Sequence, residues 1–495
     1  MSEKNIITFM NLDSASGFLV SEQPFLWDSC TVVTAKQFYC LAERFAGVLL
    51  EKGLWNQPVA ILAKHRLETL IMYFGTLLSG NYYLPIAEDV TESKKQEMLK
   101  LTGTEEIYTE ADIPKENCVG DDISARLKAA RDRLPDEAPL YIIYTSGSTG
   151  KPKGIVKTHE NMIAFLKSYT QTFSFSENDV LANQTPFCFD ASAKDFYLML
   201  FQRIPMYIVD NSMFFRPKEL VNKLNAYQVS ILQWVPSALS MLSQLKSFEK
   251  EKPNFLRRVS FVGEVFPVKQ LRYWMEKLPQ VEFVNLYGAS ELAGVCSYYQ
   301  IPSIEQNSLL WDTFETKGIP LGKPLPHQKL FLLQEGKVVT EPGCVGEICI
   351  QSEGLADGYL SSENDSREVF VSKISADLPQ GKYYKTGDLG RYDDVGNLYY
   401  VNRIDYQIKH MGHRIELGEI ELAALQTDGV EKAAAIFEKG KIKLYCEGVV
   451  EQKTVEKSLR NSLSEYMLPQ KIQVVEKLPL NPNGKIDRMS LLESK

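Results

Sequence analysis

The chain has 495 residues, a length that calls for more than one hydrophobic core. Hydrophobic residues make up 44% and charged residues 24%, the balance of a soluble globular protein. The net charge of −8, with no lysine–arginine block, argues against a nucleic-acid partner. Eight cysteines are scattered without a CxxC pair, which suits reduced thiols better than a disulfide framework or a zinc site. Residues 1–13 lack a basic start followed by an apolar core, and the most apolar window, 70–78, is too short for a bilayer. The expectation is a cytoplasmic protein with no membrane insertion.

In chain order, Thr34-Ala35-Lys36-Gln37 reads as a capping box. Phe38, Leu41, Ala42, Phe45, Val48 and Leu49 then share one helical face, and Gly53 ends the helix. Residues 59–62 form a short buried strand, 67–78 a second apolar helix, and 80–86 extended chain. Helix and strand alternate, so parallel sheet with helices on its faces is expected. The segment 87–139 is polar and includes the basic-rich run 126–133, expected as a solvated helix. The apolar run Leu140-Tyr141-Ile142-Ile143 reads as a buried strand.

That strand runs into Tyr144-Thr145-Ser146-Gly147-Ser148-Thr149-Gly150-Lys151-Pro152-Lys153-Gly154. Three glycines, four Ser/Thr residues and two lysines in eleven positions make a loop that can grip a polyphosphate. It is not a Walker loop: two residues separate Gly147 from Gly150, and Pro152 follows Lys151. The next residues, 154–157, read as extended, and Thr158 caps a helix through 166. Alternation continues to 283. After about 319 short strands dominate, at 329–333, 346–350, 383–386 and 397–401, and predict a β-rich subdomain. From Arg414 the pattern is α+β again. Residues 433–437 and 442–446 flank a Lys439-Gly440 turn as a hairpin, and Val455, Leu459 and Leu463 line a helix face.

The loop resembles the phosphate loop of the adenylate-forming superfamily, which holds acyl-CoA synthetases, luciferases and the adenylation domains of nonribosomal peptide synthetases. Six further segments resemble that family in its order. They are Gly263-Glu264; Asn285-Leu286-Tyr287-Gly288-Ala289-Ser290-Glu291; Gly346-Glu347-Ile348 with Gly358-Tyr359-Leu360; Tyr384-Lys385-Thr386-Gly387-Asp388; Asn402-Arg403-Ile404-Asp405-Tyr406-Gln407-Ile408-Lys409; and Asn481-Pro482-Asn483-Gly484-Lys485-Ile486-Asp487-Arg488. The resemblance implies an α/β fold with a large N-terminal domain, 1–403, of parallel sheets with flanking helices and a β-rich subdomain. A small mobile α+β C-terminal domain, 404–495, would carry the catalytic lysine.

It also implies ATP and Mg²⁺. A substrate carboxylate attacks the α-phosphorus and pyrophosphate leaves, so the site must neutralise charge. Lys485 resembles the residue that stabilises that charge, Thr145 is a catalytic hydroxyl of the loop, and Glu291 resembles the residue that supports the metal. Thr145, Ser146, Gly147, Ser148, Thr149, Gly150 and Lys153 would hold phosphates. Gly263, Glu264, Asn285, Leu286, Gly288, Ala289 and Ser290 would line the nucleotide, with Tyr287 on adenine, Asp388 on ribose and Arg403 near ribose or phosphate. Asp405 resembles the hinge. Rotation there would withdraw Lys485 and bring in Gly412-His413-Arg414 for thioester formation. Asn402 stands where the family has glycine before the hinge arginine, and asparagine tolerates left-handed backbone. His65, His159, His327, His410 and His413 share no metal spacing and receive no catalytic role.

Phe187-Cys188-Phe189-Asp190-Ala191-Ser192 resembles the Phe-Asp-x-Ser of amino-acid-activating members, where the aspartate pairs with the α-ammonium. The pocket implied by that branch comprises Asp190, Ala191, Lys194, Gln233, Ser260, Val262, Leu286, Gly294 and Val295. Small Ala191 and Gly294 leave room for a side chain. Lys194 beside Gln233 would suit glutamate, aspartate or glutamine; alternatively Lys194 turns to solvent on one wet face with Asp195. Val262 departs from the cysteine of D-alanine–carrier protein ligases, which the segment otherwise resembles. The expected reaction is amino-acid adenylation followed by transfer to the phosphopantetheine of a separate carrier protein. A carboxylic acid–CoA ligase and an inactive homologue are the alternatives.

Overall fold

Thr34 caps the first long helix, Ala35–Glu51, as its sequence predicts: its Oγ1 accepts from Gln37 N at 3.1 Å, and Gln37 Oε1 accepts from Thr34 N at 2.9 Å. Phe38, Ala42, Phe45 and Leu49 face inward onto the helix Leu67–Leu78. The two helices meet at Gly75, where a Cβ would lie 2.5 Å from the Ala42 carbonyl oxygen. This is a computed structural model, and it describes residues 5–12, 17–116, 122–145, 152–303, 308–360, 363–404, 407–479 and 486–493. None of the described helices is long and apolar enough to cross a membrane.

Behind these helices lies a five-stranded sheet ordered Ile107–Tyr108, Pro58–Leu62, Tyr82–Ile86, Pro139–Thr145, Lys153–Thr158. The first four run parallel, and continuous burial explains their unbroken apolar runs. The last is antiparallel, with Thr145 opposite Lys153. The predicted phosphate loop is therefore the connection of a hairpin, which agrees with an extended 154–157. Thr158 then caps a helix, His159–Thr172, that runs beyond the predicted 166.

A second sheet of nine described strands runs Lys323–Pro324, Ser297–Ile301, Glu282–Tyr287, Arg258–Val262, Ile231–Trp234, Leu181–Asn183, Met206–Ile208, Pro24–Trp27, Val32–Thr34. Neighbours from Glu282–Tyr287 through Pro24–Trp27 are parallel. The β-rich region forms an antiparallel sheet around Val345–Gln351 and Tyr383–Tyr392, flanked by Lys329–Gln334 and Leu398–Arg403. The mixed α/β fold with a β-rich subdomain is as expected.

Beyond this sheet come a short hairpin, Gln407–His410 with His413–Glu416, and a three-stranded sheet of Val430–Glu438, Lys441–Gly448 and Lys471–Val475. Helices Leu417–Leu425 and Gln452–Ser462 cover that sheet through Ile420, Ala424, Val455 and Leu459. Lys439 and Gly440 both have positive φ, 50° and 75°, as the predicted hairpin turn requires.

One expectation is corrected. The basic run 126–133 is solvated on one face only, where Arg126, Lys128 and Arg133 are exposed. Ile123–Asp132 buries Ile123, Leu127, Ala130 and Arg131. Arg131 Nη1 donates to the Leu78 carbonyl at 2.7 Å, and Trp55 Nε1 donates to the Ala130 carbonyl at 2.9 Å. The apolar residues recur at helical spacing, but the interspersed basic residues mask them.

Gly75→Ala should lower the unfolding free energy by about 1–3 kcal/mol, because overpacking outweighs the gain in helix propensity. Urea denaturation reads this as a lower midpoint; an unchanged midpoint would show that the two helices part freely.

Candidate active site

The parallel strands of the large sheet end at Asn183, Trp234, Val262 and Tyr287. Open α/β sheets place ligands outside such carboxyl ends. Here Thr145, Asp190, Lys194, Gly263 and Gly288–Ser290 line one cavity, closed from the other side by Lys409, Gly412 and Arg414. A neighbouring cavity of about 990 Å³ runs past Glu264, Tyr287, Asp388 and Arg403. Ser146, Gly147, Ser148, Thr149, Gly150, Asp405 and Lys485 lie outside the described residues.

Glu291 is fully buried. Its Oε1 accepts from the Tyr359 hydroxyl at 2.6 Å and from Arg414 Nη1 at 2.7 Å. Burial pushes this carboxyl up, but Arg414 and Tyr359 more than reverse the effect and hold it down at about 2. Glu291 Oε2 has no hydrogen-bond partner, and neither has the buried Thr145 Oγ1. Two unpartnered oxygens suit a hard cation and its phosphate shell. Glu291 would fit Mg²⁺, and Thr145 a phosphate oxygen. The Gly412–Arg414 turn lies inside the cavity, on the same carboxylate.

Asp388 is held between Tyr287 and Arg403. The Tyr287 hydroxyl donates to Oδ2 at 2.6 Å and Arg403 Nη1 to Oδ1 at 2.7 Å. Lys409 Nζ stands 5.8 Å from the Tyr287 ring centroid. Aromatic ring, carboxylate and arginine therefore come together, and a carboxylate still has lone pairs for hydroxyl donors. Other expected nucleotide residues have structural work. Asn285 Nδ2 donates to the Pro320 carbonyl at 2.7 Å. Leu286 is buried in the core. At Gly288 a Cβ would stand 2.7 Å from the Gly294 carbonyl oxygen. Glu264 joins two segments: Oε2 accepts from Ser237 N at 3.0 Å and Oε1 from Gly412 N at 2.6 Å.

Asp190 opens the helix Asp190–Gln202, and its Oδ1 accepts from the Tyr141 hydroxyl at 3.0 Å. Burial pushes its carboxyl up to about 6, against the pull of Lys157 and Tyr141. The rings of Tyr73, Tyr83 and Tyr141 stack behind it, with centroids 4.0 and 5.3 Å apart. Sequence reasoning missed Tyr141 and Lys157. The available signal was a lone lysine in the extended run Ile155-Val156-Lys157-Thr158, opposite a strand already read as buried.

The side-chain end needs two corrections. Lys194 does not face solvent and Asp195 is not on a wet face: both are buried, with Lys194 Nζ 2.6 Å from Asp195 Oδ1. Asp195 Oδ2 accepts from Asn183 Nδ2 at 2.8 Å, and Asn183 Oδ1 meets His65 Nε2 at 2.9 Å. The competing demand was an internal carboxylate one residue along. Nor does Gly294 leave room, since a Cβ there would fall 2.3 Å from the Phe165 ring. Ala191, Val262, Gly294 and Val295 line the cavity, whereas Leu286 lies in the hydrophobic core. Gln233 Oε1 accepts from the Tyr169 hydroxyl at 2.7 Å, while its Nε2 and the adjacent Ser260 Oγ have no partner.

A buried carboxylate paired with an arginine and an aromatic–carboxylate–arginine cluster therefore stand together at the carboxyl ends of the strands. The chain belongs to the AMP-binding enzyme family, whose model matches residues 20–360. It is 32% identical over 470 residues to bacitracin synthase 3 of Bacillus licheniformis, covering 91% of this chain and 7% of that protein. It is 28% identical over 462 residues to a D-alanine–D-alanyl carrier protein ligase of Bacillus cytotoxicus, covering 88% and 89%. The o-succinylbenzoate CoA synthetase of Bacillus subtilis superposes with a TM-score of 0.79 at 21% identity, over 99% of this chain and 98% of that one. The chain thus spans a small part of the synthase and most of the ligase. Ligases of this class use ATP, generally with Mg²⁺.

Arg414→Met should undock the 407–416 hairpin. Removing one partner of a buried ion pair costs about 3–5 kcal/mol, so amide hydrogen exchange across the hairpin should speed by about 10²-fold or more. Unchanged exchange would mean that Glu291 does not hold it.

Proposed function

We propose that the chain activates an amino acid as aminoacyl-AMP and then passes the aminoacyl group to the phosphopantetheine thiol of a separate carrier protein, in the cytoplasm. The observation that carries this reading is the buried Asp190 carboxylate on the cavity wall. A buried carboxylate is costly, and with only the Tyr141 hydroxyl bonded to Asp190 Oδ1 an α-ammonium gives it a direct ionic partner. With the ammonium on Asp190, the substrate carboxylate faces the region of Thr145. One carboxylate oxygen attacks the α-phosphorus, and the bond to pyrophosphate breaks. Tyr287, Asp388 and Arg403 hold the nucleoside end, Thr145 through Gly150 with Lys153 hold phosphates, and Lys485 neutralises the developing charge. Mg²⁺ on Glu291 would add charge neutralisation when bound. In the second step the thiol sulfur attacks the acyl carbon, AMP leaves, and the thiol proton passes to solvent.

The same reading takes 1–403 and 404–495 as two domains pivoting at Asp405. The Gly412–Arg414 turn in the cavity then corresponds to the thioester-forming pose. At the side-chain end, Lys194 is already neutralised by Asp195, which favours an amide side chain over an acidic one among glutamine, glutamate and aspartate. Gln233 Nε2 and Ser260 Oγ would be its remaining contacts.

A second reading, a carboxylic acid–CoA ligase, draws on Lys157. A cation beside Asp190 supports a site whose substrate brings no ammonium. An inactive homologue is disfavoured by the paired Glu291 and Asp388.

Pyrophosphate exchange with all amino acids and with simple carboxylic acids separates these readings. Exchange with one or a few amino acids, glutamine foremost, is expected; exchange with simple acids alone would transfer the assignment to the second reading.

Lys485→Ala should cut exchange by about 10²–10³-fold, the cost of one preorganised electrostatic contact. Thioester formation from preformed aminoacyl-AMP should be largely retained. Equal loss in both half-reactions would contradict the pivot.

A further inference from the structure

Lys157 is fully buried, and its Nζ makes no hydrogen bond. Nothing in the strand Lys153–Thr158 requires a charge at this place, where a methionine would fill the same space. A buried, unbonded ammonium is costly and needs a compensating role. In the hairpin register Lys157 stands opposite Tyr141, and residues directly opposite in an antiparallel pair project from the same face. The Tyr141 hydroxyl reaches Asp190 Oδ1. Lys157 therefore shares the face that leads to Asp190, and its strongest attraction is to that carboxylate, followed by Glu291.

We infer that Lys157 is a positioning residue for Asp190: its ammonium keeps the Asp190 carboxylate ionised and ready for the ammonium of an incoming amino acid. This rests on the reading of Asp190 given under Proposed function. The titratable groups acting on Asp190 are Tyr141 and Lys157 from the hairpin, Glu291 from the loop after Glu282–Tyr287, and Tyr83 from the neighbouring strand. Of these Lys157 is the cation, Glu291 repels, and the tyrosines are neutral at working pH. Burial drives Asp190 up to about 6 and Lys157 down to about 8. The pair is thus jointly charged between about pH 6 and 8. Without the lysine, burial and Glu291 would protonate the carboxyl at higher pH. The cation also repels the substrate ammonium, so Lys157 trades some affinity for a carboxylate that is charged at neutral pH.

The test is the pH profile of kcat/KM for the best amino acid in pyrophosphate exchange, using the full chain with ATP and Mg²⁺. Wild type should lose activity about tenfold per unit below about pH 6, as Asp190 takes up a proton. Lys157→Met should move that limb up by about 1–3 pH units, the usual effect of a neighbouring opposite charge, and approach wild type at high pH. Lys157→Arg, which keeps a cation, should hold the limb near its original place. A limb that does not move, or a loss equal at every pH, would overturn the inference and leave a packing role.

A second measurement needs no substrate. Melting temperatures of wild type, Lys157→Met, Asp190→Asn and the double variant give the coupling between the two residues. Coupling should be present at pH 7 and vanish below about pH 6. No coupling at pH 7 overturns the inference whatever the substrate. Coupling without exchange by any amino acid overturns the ammonium reading of Asp190, and with it the purpose assigned to Lys157. If Lys157→Met does not fold, Lys157→Leu takes its place in both measurements.

Discussion

The structure turns on one buried ion pair. Glu291 has no access to solvent, and Arg414, 123 residues further along, supplies its cation. The carboxylate cannot follow the arginine outward, because Tyr359 holds the same oxygen and Ala356 N donates to the Glu291 carbonyl at 2.8 Å. The hairpin that carries Arg414 must therefore come to the cavity. Other contacts assemble around that demand. His413 sits between Phe189 and Tyr466, at ring-centroid distances of 4.6 and 3.7 Å. Lys94 pairs with Glu419 on the next helix. A buried pair of this kind does more for the choice of arrangement than for net stability, because desolvation consumes much of its Coulomb energy.

The same rule governs the rest of the cavity. Asp388 has Arg403, Asp195 has Lys194, and Asp190 has Lys157 within electrostatic reach. Buried charge in this site comes in opposite pairs, and such pairing is what makes it tolerable. A ligand that displaces one member must offer an equivalent charge, which narrows what can enter without unfolding the local structure.

Much of this was legible in the chain because its signals are local. The Thr34–Gln37 box, the Lys439-Gly440 turn and the apolar run before Thr145 each act through neighbours a few residues away. The ordered segments from Gly147 to Asp487 pointed to the family for the same reason. What escaped depends on contacts distant in sequence. Arg131 reads as a surface residue until the Leu78 carbonyl is seen beneath it. Gly294 reads as spare volume until the Phe165 ring is found there. Lys157 sits in an ordinary strand, and its meaning comes from Asp190, which only the Tyr141 register brings near. Lys194 is different: the sequence left it between the pocket and a wet face shared with Asp195, and its buried partner proved to be that next residue.

The turn at the tip of the docking hairpin has a further consequence. Met411 and Gly412 both take positive φ, 53° and 81°, and the Gly412 N–H, not a side chain, meets Glu264. Met411 itself is exposed. At this contact the recognition element is main chain, whose N–H every residue but proline retains. Drift at position 411 is cheap in contacts, limited mainly by the cost of left-handed backbone for branched residues. Drift at 412 is costly, since a Cβ would press on Val235 at 3.3 Å in a conformation that suits glycine. The tip therefore couples a permissive residue to a forbidding one, and sequence variation across this hairpin should be sharply uneven between adjacent positions.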